Sequence, residues 1–118
     1  MTPSLATLSK KERLSGKNSI SRLMSKGRWG SCSGLKYCFI KDSGAPENRL
    51  MVSVPKRFFK RAVKRNLLKR RIRESFRKQK GLLPDDGGVD LLIQYNTAEI
   101  MDYPALHALV GHILEQIR

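Results

Sequence analysis

Acidic side chains are scarce in this chain: 10 Asp and Glu stand against 24 Lys and Arg over 118 residues, a formal net charge of +14. A surface that positive repels itself until a polyanion neutralises it, so composition points to nucleic acid or, less directly, to an anionic membrane. Cysteine is equally sparse. Cys32 and Cys38 are too few and too oddly spaced for a disulfide framework, and they form no C-x-x-C, which excludes a zinc knuckle and favours a reducing, cytoplasmic setting. No apolar run approaches the length of about 18 residues that marks a membrane span, and no hydrophobic leader stands near the N-terminus. Neither a spanning nor an exported protein is expected.

The charge that is present is unevenly placed. Residues 1–80 hold 23 basic and 4 acidic side chains, net +19, whereas residues 81–118 hold 1 and 6, net −5. Thirteen of the cations lie between positions 56 and 80, with Glu74 as the only acid among them. In that stretch Leu68, Ile72 and Phe76 recur at helical spacing, and Ala62, Asn66, Lys69, Arg70, Arg73 and Arg77 gather on a neighbouring face, which predicts one helix over 60–80. A merely solvated helix intersperses Glu with Lys; this one does not, and seven of its thirteen cations are Arg, whose planar fork suits phosphate.

Around this helix the chain reads as a single α+β domain. Residues 1–12 lack periodicity and are expected to form a loose arm. Ile20, Leu23 and Met24 predict a short helix over 17–26, with Asn18 or Ser19 as N-cap and Gly27 as its stop. Two alternating runs follow, 35–41 with Leu35, Tyr37 and Phe39 on one face, and 49–54 with Leu50, Val52 and Val54 on one face, and they read as an antiparallel pair. A further strand is expected around Trp29 to Cys32. Residues 89–95 are almost continuously apolar, as in a buried strand, and Asp102 with Pro104 opens a closing helix whose Leu106, Leu109, Val110, Ile113, Leu114 and Ile117 face a core. The order predicts a two-layer α/β sandwich.

No catalytic constellation emerges. Asp85, Asp86 and Asp90 lie in a glycine-rich turn and a strand, where turn formation explains them best. His107 and His112 stand roughly 140° apart around a helix and cannot share a metal. Tyr37 and Phe39, with Lys41 on the same strand face, are either core or a platform for single-stranded bases.

The run Ala62-Val63-Lys64-Arg65-Asn66-Leu67-Leu68-Lys69-Arg70-Arg71-Ile72-Arg73, directly after Ser53-Val54-Pro55-Lys56-Arg57, resembles the signature of the protein subunit of bacterial ribonuclease P. That signature, Ala-Val-x-Arg-Asn-x-x-Lys-Arg-x-x-Arg, is filled at every position. The resemblance also takes in Arg13-Leu14, the short first helix, the strand order and the closing helix, so it covers about residues 13–117. It departs at Phe58-Phe59-Lys60-Arg61, where the family usually carries a glycine-containing turn, and at Ile20 and Met24, where many members present two aromatics.

What the resemblance implies is a mixed sheet of about four strands with three helices and a left-handed β-α-β crossover, against the usual right-handed rule. It further implies a chain that binds a catalytic RNA, which with magnesium removes the 5′ leader from precursor tRNA. The protein alone is then expected to bind no cofactor, no membrane and no obligate protein partner. Arg65, Asn66, Lys69, Arg70 and Arg73 are expected on the catalytic RNA, with Lys56, Arg57, Lys60 and Arg61 adding electrostatic reach and Arg77 extending the face. A cleft between the first helix and the sheet, drawing on Ile20, Met24, Tyr37 and Phe39, is expected to hold the single-stranded leader. The rival readings are a ribosomal or other structural RNA-binding protein, and a basic helix lying on anionic lipid. The narrow stripe of Leu68, Ile72 and Phe76 counts against the last.

Overall fold

A strand with apolar side chains on both faces is stable only between two neighbours and two covering layers, and Asp90–Tyr95 is such a strand. In the computed structural model, which describes residues 10–41, 43–83 and 87–117, it is an inner strand of a four-stranded sheet. We label the elements α1 (Lys17–Lys26), β1 (Arg28–Cys32), β2 (Leu35–Ile40), β3 (Arg49–Ser53), α2 (Ala62–Gln79), β4 (Asp90–Tyr95) and α3 (Tyr103–Ile117). Short 3-10 turns occupy Lys10–Glu12 and Lys80–Leu82.

The sheet order is β1-β2-β4-β3. β1 and β2 are antiparallel with Trp29 opposite Cys38, β2 and β4 are antiparallel with Cys38 opposite Leu92, and β3 runs parallel to β4 with Met51 beside Leu92. The expected antiparallel pairing of 35–41 with 49–54 is therefore corrected: the two strands run in opposite directions, but β4 stands between them. The reason is burial. β4 hides apolar groups on both faces, so it takes the interior position and separates strands that are consecutive in sequence.

On one face of the sheet Leu35, Leu50, Val52, Leu91, Ile93 and Tyr95 meet Leu68, Ile72 and Phe76 of α2 and Leu106, Val110, Ile113 and Leu114 of α3. The other face carries a smaller cluster, Cys38 and Leu92 under Leu23 of α1, with Leu14 beside them. Two contacts lock the helices of the larger layer together. Gln79 donates from Nε2 to the carbonyls of Ser75 (3.1 Å) and His107 (2.8 Å), and Arg71 reaches the Met101 carbonyl at 2.6 Å. Gly111 permits the first of these, since a Cβ there would stand 2.3 Å from Gln79 Oε1.

Helix α1 spans the residues expected, but its N-cap lies two residues before Asn18 and three before Ser19. Gly16, at φ 94°, precedes it with no side-chain cap, so neither Asn18 nor Ser19 is the N-cap. Gly27 ends it as expected, and its lack of a side chain is needed: a Cβ would lie 2.4 Å from both Cys38 Sγ and the Leu23 carbonyl oxygen. Of the arm expected over 1–12, residues 1–9 lie outside the described residues, and Glu12 pairs with Lys80. The chain then crosses the outer edge of β3, where Leu14 N–H donates to the Leu50 carbonyl at 2.9 Å. On the α1 side of the sheet, Arg49 grips the buried Asp90 through two hydrogen bonds of 2.8 and 2.7 Å, tying β3 to β4.

Asp102 does cap α3, accepting from the Ala105 N–H at 3.0 Å. Asp102→Ala is expected to lower stability by about 1 kcal/mol, read as a lower denaturant midpoint at unchanged slope. An unmoved midpoint would deny the cap. Among the described residues no helix is long and apolar enough to cross a membrane.

Candidate nucleic-acid interface

With Leu68 set at zero, helical geometry turns Lys69, Arg73, Asn66, Arg77 and Arg70 to between about 100° and 200°, the side of α2 that faces away from the sheet. Leu68, Ile72, Ser75 and Phe76 are buried on the inward side. One helix thus carries the core stripe and the basic face at once. The first turn of α2 contains no acid and its N-cap, Arg61, makes no side-chain cap bond, so the positive end of the helix dipole adds to the field of the cations.

The segment between β3 and α2 explains how a pair of phenylalanines stands where a glycine turn was expected. Phe59 is buried and meets Tyr95 edge-on at 5.7 Å, anchoring the loop in the core. Phe58 lies under the Arg57 guanidinium, 4.8 Å from the ring centroid, and Arg57 also donates to Asn96 Oδ1 at 3.2 Å. Arg65 closes the arrangement from the helix, donating from one guanidinium nitrogen to the carbonyls of Phe59 (2.9 Å) and Lys60 (2.8 Å). Lys56, Lys60 and Arg61 remain exposed around the loop.

The cations of α2 therefore divide by what they already hold. Lys69 and Arg70 have no acidic partner among the described residues, and Arg70 is exposed. The Arg73 guanidinium is pushed below the ordinary arginine value by burial and then by the nearby charge of Arg13, yet it stays a cation at any physiological pH. Arg77 is bound to Glu74 by two bonds of 2.7 and 2.9 Å, and that contact, outweighing the opposite push of burial, holds the Glu74 carboxyl below its usual range. Arg71 serves the fold through Met101, and nothing in the signature pattern marked it for that.

The second group of expected residues is not gathered in one place. Tyr37 and Phe39 pack against the larger core, on the sheet face covered by α2 and α3, whereas Ile20 and Met24 belong to α1 on the opposite face. Strand alternation dictates this: Cys38 faces α1, donating from Sγ to the Leu23 carbonyl at 3.4 Å, so its neighbours 37 and 39 must face away. Besides Cys38, Leu92, Arg49 and Asp90, the sheet side chains that share the α1 face are Trp29, Ser31, Lys36, Ile40, Gln94, Met51 and Ser53. Trp29 is 43% exposed, and Lys36 Nζ sits 4.8 Å above its ring. The sequence reading missed Trp29; its signal was the alternation of β1 against β2, hidden by the surrounding glycines and serines.

Among the described residues no three His, Cys, Asp or Glu side chains come together as a metal site. Asp90 is committed to Arg49, His107 Nδ1 lies 3.2 Å from the Tyr103 hydroxyl, and Asp85 and Asp86 lie outside the described residues.

A profile of the family described as Ribonuclease P matches residues 8–118. The ribonuclease P protein component of Porphyromonas gingivalis is 37% identical over 86 residues, a match covering 71% of this chain and 63% of that protein's length. Among solved structures, the RNase P protein from Thermotoga maritima superposes with a TM-score of 0.77 at 27% identity, covering 91% of this chain and 98% of that one. The Staphylococcus aureus RNase P protein shares the fold at 23% identity, with a TM-score of 0.77 over 91% of this chain and 95% of its own. A basic helix face built on a four-stranded mixed sheet with three helices, together with a profile match over nearly the whole chain, places this protein in the ribonuclease P protein family.

Proposed function

We propose that this chain is the protein subunit of a ribonuclease P holoenzyme, in which α2 binds the catalytic RNA and the α1 side of the sheet holds the 5′ leader of precursor tRNA. One observation carries the reading: the filled signature positions Asn66, Lys69, Arg70 and Arg73 share the outward side of α2, while the residues between them, Leu68, Arg71 and Ile72, turn inward to build the fold. Lys56, Lys60 and Arg61 extend the positive field beyond the helix start. Arg57 and Arg65 shape the loop and offer their remaining guanidinium donors, and Arg77 contributes least because Glu74 neutralises it.

The leader is assigned to the flank of α1 that carries Ile20 and Met24, across the sheet side chains Lys36 and Trp29. Tyr37 and Phe39 belong to the far face and are not part of that path. In this reading the protein supplies positioning and charge, and the chemistry is assigned to the RNA. Magnesium, which the reaction requires, is expected on the RNA. With thiols at Cys32 and Cys38 the protein suits the reducing cytoplasm, where precursor tRNA is processed.

The test is cleavage of precursor tRNA by the catalytic RNA at low magnesium, with and without this protein. Cleavage should depend on the protein at low magnesium, and the protein alone should cleave nothing. Failure to stimulate would favour the rival reading, a structural RNA-binding protein, and cleavage that tracks protein concentration in RNA-free samples would overturn the assignment of the chemistry.

A further inference from the structure

A second positive site lies on the other flank of α1. Arg22 and Lys26 are four residues apart and share one side of that helix, roughly opposite the side carrying Ile20 and Met24. They line a pocket of about 530 Å³ together with Arg28 at the start of β1 and Lys41 at the end of β2. Phe39 forms its apolar wall, with Ile117 of α3 behind. Arg28 and Phe39 are register partners, so the guanidinium and the ring project from the same sheet face. Arg22 is fixed across the rim by a 3.0 Å bond to the Ser43 carbonyl.

Four cations converge here, and among the described residues no carboxylate lines the pocket or pairs with any of them. Convergence of like charge is unfavourable until an anion arrives. The chemistry is that of a nucleoside phosphate, since arginine forks match phosphate oxygens and an accessible ring offers a surface to a base. The volume lies within the range of small-ligand sites. The cations come from α1, β1 and the end of β2 and their four charges exceed what one phosphate carries, which favours a strand over a free nucleotide. The base must be unpaired for its face to reach Phe39. The pocket is also separate from the α2 face: it sits at the β1–β2 side of the sheet, and α2 packs beside β3, at the other edge.

We propose that this pocket binds one nucleotide of an unpaired RNA strand, with Arg22 and Arg28 on its phosphates and its base against Phe39. The inference does not depend on what α2 binds. The experiment measures binding of a labelled single-stranded RNA hexanucleotide, and of AMP, to the full chain across a salt series, using the wild type, Arg28→Gln, Phe39→Leu and Arg70→Ala. Phe39→Leu should weaken the hexanucleotide about five-fold or more, and Arg28→Gln should reduce the log–log salt slope by roughly 0.7. AMP should bind more weakly than the hexanucleotide.

If both pocket variants bind as wild type while Arg70→Ala binds more weakly, the pocket assignment fails and the α2 reading stands. AMP binding as tightly as the hexanucleotide overturns the strand assignment. Melting curves keep the variants comparable. Phe39 also touches the core, so if Phe39→Leu unfolds, Arg28→Gln, at an exposed strand end, decides the matter alone.

Discussion

Raising the salt from 50 to 200 mM is expected to weaken binding to the ribonuclease P catalytic RNA by on the order of a thousand-fold. Lys56, Lys60, Arg61, Lys69, Arg70 and Arg73 present six cations along α2 and the loop before it, none with an acidic partner among the described residues. Each one that meets a phosphate releases condensed counterions, and about six such contacts give a loss of this size. Arg70→Ala should flatten the log–log slope by roughly 0.7 to 0.9. Arg77→Ala should leave it almost unchanged, because Glu74 already holds that guanidinium. The Glu74 carboxyl is depressed, so its contact with Arg77 helps the fold above the ordinary carboxylate range and is lost as pH falls through the lowered value. Affinity that stays level across the salt range, or an unchanged slope in Arg70→Ala, would remove the α2 face from the interface.

The second large effect concerns discrimination between precursor and mature tRNA. If leader bases lie along the α1 side of the sheet, Trp29→Ala should weaken binding of precursor to the assembled holoenzyme about five- to 150-fold, the scale of one lost stacking platform. Mature tRNA has no 5′ strand to place there and should bind as before. Trp29 is a clean position for this test because its ring is 43% exposed and Lys36 lies over it, so its removal leaves the core intact. Tyr37→Ala is the contrasting variant: it strips a ring packed against the large cluster and should lower stability while leaving the ratio of precursor to mature binding alone. Equal ratios in Trp29→Ala and wild type would move the leader elsewhere.

Much of this architecture was legible from residue patterns. The spacing of Leu68, Ile72 and Phe76 located α2, and the unbroken apolar run of β4 announced a strand covered on both sides. The position of that strand was not legible. Pairing follows which strand must be covered most completely, and that competition is settled only when all four strands are compared. The basic face was equally plain, but the division of labour within it was not. Nothing about Arg65 or Arg71 in the sequence reveals that one grips loop carbonyls and the other the Met101 carbonyl. Tyr37 and Phe39 show the limit most clearly. Period-two alternation placed them on one face together, as the structure does, but which face met the first helix depended on Cys38 fitting under Leu23 beside a glycine.

The interior position of β4 also sets the order in which the molecule can come into being. Synthesis delivers β1, β2, β3 and α2 first, and with them nearly all of the positive charge, but β2 and β3 have no common partner until residues 90–95 arrive. The hairpin of β1 and β2 can close early because its contacts are local, whereas the parallel pairing of β3 with β4 waits for a crossover through the whole of α2. Until then the stripe of α2 has no finished sheet to lie on. The nascent chain is therefore a loose polycation for most of its synthesis, and it gains a defined shape only as its acidic final third emerges.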